Sequence, residues 1–241
     1  FNTSGQYNTA QGYRALFSNT TASNNTAVGY QAGYSNVAAG AQVFVGYKAG
    51  YATTTGGGSS TFVGYEAGLS NTTGGNNTAL GRGSFLDNTT GSNNVGLGFD
   101  ALANNTTASN NTAVGYQAVY TNTTGIANVG LGAYALQLNT TGNYNTALGY
   151  NAGNAITTGN YNIAIGANAL DVSTTANSNI GIGINALGST TTGAENVAMG
   201  LNALLTNTTG ASNVGIGTYA LNSNTTAAAN TAVGYQALTT N

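Results

Sequence analysis

The chain is expected to fold as an all-β parallel β-solenoid, a β-roll of fourteen 17-residue coils, and three observations predict this. The octapeptide NTAVGYQA at residues 25–32 recurs letter for letter at 111–118 and 230–237, with degenerate copies between. Its glycine repeats from Gly12 through Gly29, Gly46, Gly64 and Gly81 to Gly234 at a spacing of 17, broken by a single step of 18 between Gly46 and Gly64. The residue three places before that glycine is β-branched in all fourteen copies, from Thr9 to Thr231. A fixed period of this length marks a solenoid in which each repeat is one coil stacked on the last. The array covers residues 1–241 as one continuous set of repeats.

Each element follows from the repeat, numbered here from the Asn of NTAVGYQA. Position 1 is Asn in all coils except those starting at Gln42 and Ser60, so Asn25, Asn111 and Asn145 are expected to form rungs of a structural asparagine ladder. Positions 2 and 4 lie on one face of an extended strand, and their β-branched and aliphatic residues favour that conformation, Gln11 being the one departure at position 4. We expect this face to fill the coil interior. Positions 3 and 5 are Ala or Gly except at Phe44 and Phe62, and this small-residue face is expected to meet another chain. The opposite assignment puts Ala and Gly in a tight interior and turns positions 2 and 4 outward. Exposing either face over fourteen rungs leaves a long apolar strip, so both assignments require an oligomer. The glycine at position 5, as at Gly29, Gly46, Gly64, Gly115 and Gly149, implies either a backbone conformation closed to other residues or close approach of a neighbouring backbone. Gly115→Val is therefore expected to damage folding far more than Gln117→Val.

Position 9 is large and apolar, or Gly; at Gly33, Gly50 and Gly68 the bulk moves to the next residue, and Gly153 is the exception. A second short strand is expected through the Asn-Thr-Thr triplets, such as those at Asn71 and Asn207, giving two strands and two turns per coil. The one-residue insertion falls in the turn holding Gly56, Gly57 and Gly58.

Composition narrows the function. Three basic and five acidic residues give a net charge of −2, which cannot supply the phosphate contacts that nucleic acid requires. There is no Cys and no His, which removes thiolate and imidazole chemistry. No apolar run reaches membrane-spanning length, and no basic-then-apolar leader is present, so membrane insertion is not expected. The repeat is interrupted at Phe1 and at Asn241, and a segment of a longer chain or filament is expected.

The stretches 196–203 (NVAMGLNA), 162–166 (NIAIG) and 179–183 (NIGIG) resemble the SVAIG-type repeat of trimeric autotransporter adhesin heads. Similar NTAVGYQAL repeats recur in trimeric bacterial and phage tail-fibre proteins. The resemblance covers the whole chain, although the adhesin-head coil is shorter and lacks the Asn-Thr-Thr connector. It implies a left-handed coil, a homotrimer, a location on a cell or virion surface, and a host receptor as partner.

Other signals point away from chemistry. Glu66 and Asp100 share position 7 two coils apart, but nothing desolvates them, and a catalytic carboxylate pair is not expected. Gly96-Leu97-Gly98 lacks the third glycine and the helix of a phosphate loop, and the sparse acids exclude a calcium-binding nonapeptide repeat. No cofactor and no metal are expected. The Asn-Thr-Thr triplets at Asn88 and Asn122 match glycosylation acceptors but read as coil geometry. Tyr13, Tyr30, Tyr47 and Tyr65 occupy position 6 of consecutive coils, a stripe able to contact a glycan or a partner. Lys48 and Glu66, one coil apart, are expected to form an exposed ion pair. The expected function is a non-enzymatic fibre segment, the shaft or head of an adhesin or tail fibre; the alternatives are a self-assembling extracellular filament and an ice-binding solenoid with threonine ladders.

Overall fold

The computed structural model describes residues 2–55 and 58–239; Gly56 and Gly57 of the expected insertion turn lie outside them. The chain forms two compact units, Phe1–Thr124 and Gly125–Asn241. The first holds β1 (Thr9–Gln11), β2 (Thr26–Val28), β3 (Val43–Val45), β4 (Thr61–Val63), β5 (Thr78–Leu80), β6 (Val95–Leu97) and β7 (Thr112–Val114). The second holds β8 (Val129–Leu131), β9 (Thr146–Leu148), β10 (Ile163–Ile165), β11 (Ile180–Ile182), β12 (Val197–Met199), β13 (Val214–Ile216) and β14 (Thr231–Val233). Within each unit consecutive strands pair in parallel and in repeat register, as in Thr26↔Val43 and Ile180↔Val197. This is the all-β parallel solenoid that the period predicts.

The expected second strand is absent among the described residues. The triplet backbone instead converges: the N–H groups of Thr140, Thr141 and Gly142 all donate to the Thr157 carbonyl, at 2.9, 3.2 and 3.2 Å. Successive N–H groups of a strand point to opposite sides, so three cannot share one acceptor in extended backbone. The remainder of the coil is a run of tight turns. Position 5 glycines take φ near +130°, and positions 7 and 9 take left-handed φ values such as 54° at Gln31, 51° at Leu136 and 51° at Val119. Between them lie residues of negative φ, and this alternation aims the N–H groups of positions 7 and 9 at opposite neighbours. Gln31 N donates to Tyr13 O of the preceding coil at 2.8 Å, and Gly33 N to Ala49 O of the following coil at 2.9 Å.

The core reverses the expected faces. Position 3 points inward: Ala27, Phe44, Phe62, Ala113, Ala147 and Ala198 are fully buried. Positions 2 and 4 point outward, leaving Leu80 51%, Leu148 45% and Met199 40% exposed. A coil with one three-residue strand encloses room for a small position 3 residue and a single large side chain, normally Leu from position 9. Leu102, Leu136, Leu170 and Leu204 fill that place.

Exceptions in one position are matched in another. At Gly33 and Gly68 an added Cβ would meet the Phe44 ring at 2.5 Å and the Phe62 ring at 2.6 Å. The bulk missing from these coils is therefore supplied from the opposite wall, not by the half-exposed Tyr34, Tyr51 and Leu69. Gly153 obeys the same rule with a different partner: a Cβ there would touch Ile156 and Leu136, each at 3.1 Å, and Ile156 stands where most other coils carry Asn.

Candidate functional site

The position 5 glycines answer both parts of the sequence expectation. Gly29, Gly46, Gly64, Gly115 and Gly149 have φ of 137°, 133°, 142°, 134° and 135°. A Cβ on Gly29 or Gly46 would also lie 2.7 Å from the carbonyl carbon of the matching glycine in the next coil.

The asparagine ladder forms at position 1. Asn25 Oδ1 accepts the backbone N–H of Gln42 at 2.8 Å, and Asn111 N donates to Asn94 Oδ1 at 2.8 Å. Asn145 Oδ1 accepts from both the backbone and side-chain nitrogens of Asn162, at 3.0 and 3.1 Å, while its Nδ2 donates to Gly159 O at 2.8 Å. A second ladder, at position 12, lies outside the sequence expectation. Asn88, Asn105 and Asn122 donate Nδ2 to Oδ1 of Asn71, Asn88 and Asn105 at 2.6, 2.8 and 2.9 Å. These amides begin the Asn-Thr-Thr triplets and are fully buried, which supports coil geometry as the reason for the triplet.

The second ladder is interrupted by Thr53, Ile156, Ser173 and Thr190. The buried hydroxyls of Thr53, Ser173 and Thr190 have no hydrogen-bond partner among the described residues. Ser173→Asn is expected to raise the melting temperature by a few degrees, because the longer amide reaches Ala176 O as Asn105 reaches Ala108 O, and one such bond contributes about 1 kcal/mol. A lower melting temperature in calorimetry would show that the site has no room.

The outer face of the first unit is built from positions 6, 7 and 10. Tyr13, Tyr30, Tyr47 and Tyr65 stack in order with centroids 5.3, 5.3 and 4.9 Å apart. They stay 58, 44, 37 and 47% exposed, but their faces cover one another, so the stripe offers ring edges and hydroxyls. Phe17, Tyr34 and Tyr51 form a second stack at 5.2 and 5.1 Å. Position 7 runs between the stacks: Arg14 lies 5.1 Å from the Tyr13 centroid and 5.2 Å from that of Phe17, and Lys48 lies 5.3 and 5.6 Å from those of Tyr47 and Tyr51. The expected Lys48–Glu66 ion pair does not form within 4.0 Å; the ammonium gains the quadrupoles of two rings instead. Arg82, the third cation, sits over Tyr65 and Phe99.

Two carboxyl groups are raised from their ordinary value. Burial raises Asp171; it also raises Asp100, against the lowering effects of a Gln117 hydrogen bond and the Arg82 charge, which corrects the expectation that nothing desolvates this carboxyl. A carboxyl raised in the folded state binds its proton more tightly there. Its contribution is fully present below the ordinary value and lost as pH rises through the raised one. Asp171→Asn is thus expected to raise the melting temperature at pH 7 and to change it little at pH 3. An equal shift at both pH values would contradict this.

No pocket opens among the described residues, and no group of three His, Cys, Asp or Glu side chains gathers there. No described helix is long and apolar enough to cross a membrane. No family model, curated protein or solved structure matches the chain.

Proposed function

We propose that the chain is a non-enzymatic structural segment of a surface fibre, the shaft or head of an adhesin or tail fibre, and that three copies associate through their strand faces. The observation that carries this reading is the outward strip of positions 2 and 4. In each unit it presents Val, Leu, Ile, Met and Thr along the strands, partly exposed along its length and more than a third exposed at Leu80, Leu148, Met199, Ile216 and Val233. An apolar strip of this continuity is a surface that isolated chains seldom leave open. Parallel strands buried on both faces read as apolar at consecutive positions, as these do. Threefold closure follows from the adhesin-like and tail-fibre-like repeats, and cyclic symmetry ends the assembly at a defined size. A role outside the cell or on a virion accords with solubility drawn from Asn, Thr, Ser and Gln.

Native mass spectrometry of the whole chain tests the proposal, with a trimer that persists in 0.5 M NaCl as the expected result. A folded monomer at micromolar concentration would overturn it. One observation favours a second reading, ice binding: position 14 carries an exposed Thr in every connector from Thr21 to Thr226 except that of Ala38. The neighbouring position 13 hydroxyls are committed to the next coil, as in Thr72 Oγ1 to Thr89 O at 2.9 Å, leaving a single free file. Thermal hysteresis of a dilute solution distinguishes this reading.

A further inference from the structure

We infer that coils 1 to 6 carry a second contact surface, separate from the strand face, whose occupant is a second copy of this chain running in the opposite direction. The order of charge along position 7 points to it. From the first coil to the sixth the residues are Arg14, Gln31, Lys48, Glu66, Gly83 and Asp100, which reads plus, neutral, plus, minus, neutral, minus. Reversed, the same series is its own complement. In an antiparallel pair centred between the third and fourth coils, Arg14 meets Asp100, Gln31 meets Gly83 and Lys48 meets Glu66, and each pairing occurs twice. Parallel pairing in register would set every charge against its own copy. A parallel pair staggered by three coils matches Arg14 with Glu66 and Lys48 with Asp100 once each, half the ion pairs of the antiparallel arrangement, which engages all six coils of both copies, so the column favours the antiparallel direction.

The backbone holds this series in step. Lys48 N donates to Tyr30 O, Glu66 N to Tyr47 O and Asp100 N to Arg82 O, at 2.8, 2.8 and 2.9 Å, so the extra residue between Gly46 and Gly64 does not shift the column. Arg14 and Lys48 are each steadied over two rings, which lowers the ordering cost of a further carboxylate contact.

The flanking positions agree. A twofold axis lying in the plane of contact and perpendicular to the coil stack sets each position against itself. At position 6 this brings Arg82 over Tyr30 and sets Tyr47 against Tyr65. At position 10 it sets Tyr34 against Leu86 and Tyr51 against Leu69, an aromatic residue against an aliphatic one. All three basic residues of the chain lie on this surface. Six coils at ~4.8 Å make a strip about 29 Å long, a small contact that gains strength when several copies are joined in one assembly.

Sedimentation velocity of the whole chain in 0.05 and 0.5 M NaCl reads the contact as a step above any oligomer that survives high salt. That step is expected to weaken at least tenfold in high salt. It is expected to vanish in Arg14→Glu/Lys48→Glu and in Glu66→Lys/Asp100→Lys, each checked for folding by circular dichroism, and to return when the two variants are mixed. Because the chain has no cysteine, separate pools of Tyr13→Cys and Phe99→Cys report direction under mild oxidation. When the pools are mixed, antiparallel pairing links one to the other, whereas in-register parallel pairing links each to itself and a staggered parallel pair links neither, a result that would also overturn the inference. Absence of a salt-sensitive step, no recovery on mixing, or predominant self-linking would each overturn the inference. So would capture of hyaluronan through Arg14 and Lys48 without self-association, which would assign the surface to an acidic glycan. Loss of the salt-resistant trimer alone would count against the strand-face proposal and leave this one standing.

Discussion

Gly98→Val is expected to abolish cooperative folding of its unit or to lower the melting temperature by well over ten degrees. Gly98 has φ of 138°, a region that residues with a Cβ enter at a cost of about 1–3 kcal/mol. The steric clash costs more. A Cβ there would lie 2.8 Å from the carbonyl carbon of Gly115 and closer still to its oxygen. That carbonyl is backbone and cannot rotate aside without opening the stack that Gly115 N anchors on Leu97 O at 2.8 Å. Strain and clash together exceed about 4 kcal/mol, the range in which a single substitution unfolds a marginal domain. Gln117→Val, harmless by the sequence pattern alone, is not a silent control, because Gln117 has φ of 49° and a β-branched residue is strained there. The expected order of melting temperatures is Gly98→Val far below Gln117→Val, with Gln117→Asn near wild type. Equal values for Gly98→Val and Gln117→Asn would refute this expectation.

Asn105→Ile is expected to cost several kcal/mol, seen as a lower denaturation midpoint. Asn105 sits within the second ladder, donating to Asn88 Oδ1 at 2.8 Å and Ala108 O at 3.1 Å and accepting from Asn122 at 2.9 Å. Replacing it deprives buried polar groups of the neighbouring amides of partners, at about 1–3 kcal/mol each. Ile is also too large for a coil that already holds Leu102. The chain itself contains the compensated version, since Ile156 is accommodated where position 9 is Gly153. Leu102→Gly should therefore recover part of the loss when combined with Asn105→Ile, though it destabilises alone. A double-mutant cycle showing simple additivity would mean that the two positions do not share one space.

Much of this was legible in the residues. The period, the strand at positions 2 to 4, the asparagine ladder of Asn25, Asn111 and Asn145, and the glycine column all follow from local chemistry repeated many times. The second ladder was in view as the first letter of each Asn-Thr-Thr triplet, yet a triplet read as a strand hides an inward amide. The αL backbone at position 7 also left a trace, because that position contains Asn, Gln, Gly, Asp, Tyr, Arg, Lys and Glu but no β-branched residue.

By itself the sequence determined that the chain winds in 17-residue coils with one short strand motif each, since periodicity and β-branched alternation are properties of single residues and their spacing. Which strand face turns inward was decided only by tertiary structure. Alternation assigns residues to two faces, but with Val, Ile and Thr on one and Ala and Gly on the other, neither face is polar enough to be read as the outside. The choice falls to volume: a 17-residue coil whose return path is made of turns closes around Ala, one Leu and two amides, and leaves no room for two aliphatic side chains from the strand. The same limit makes Phe44 answer to Gly33 and Ile156 to Gly153, pairings that no single repeat contains and that exist only when neighbouring walls are brought together.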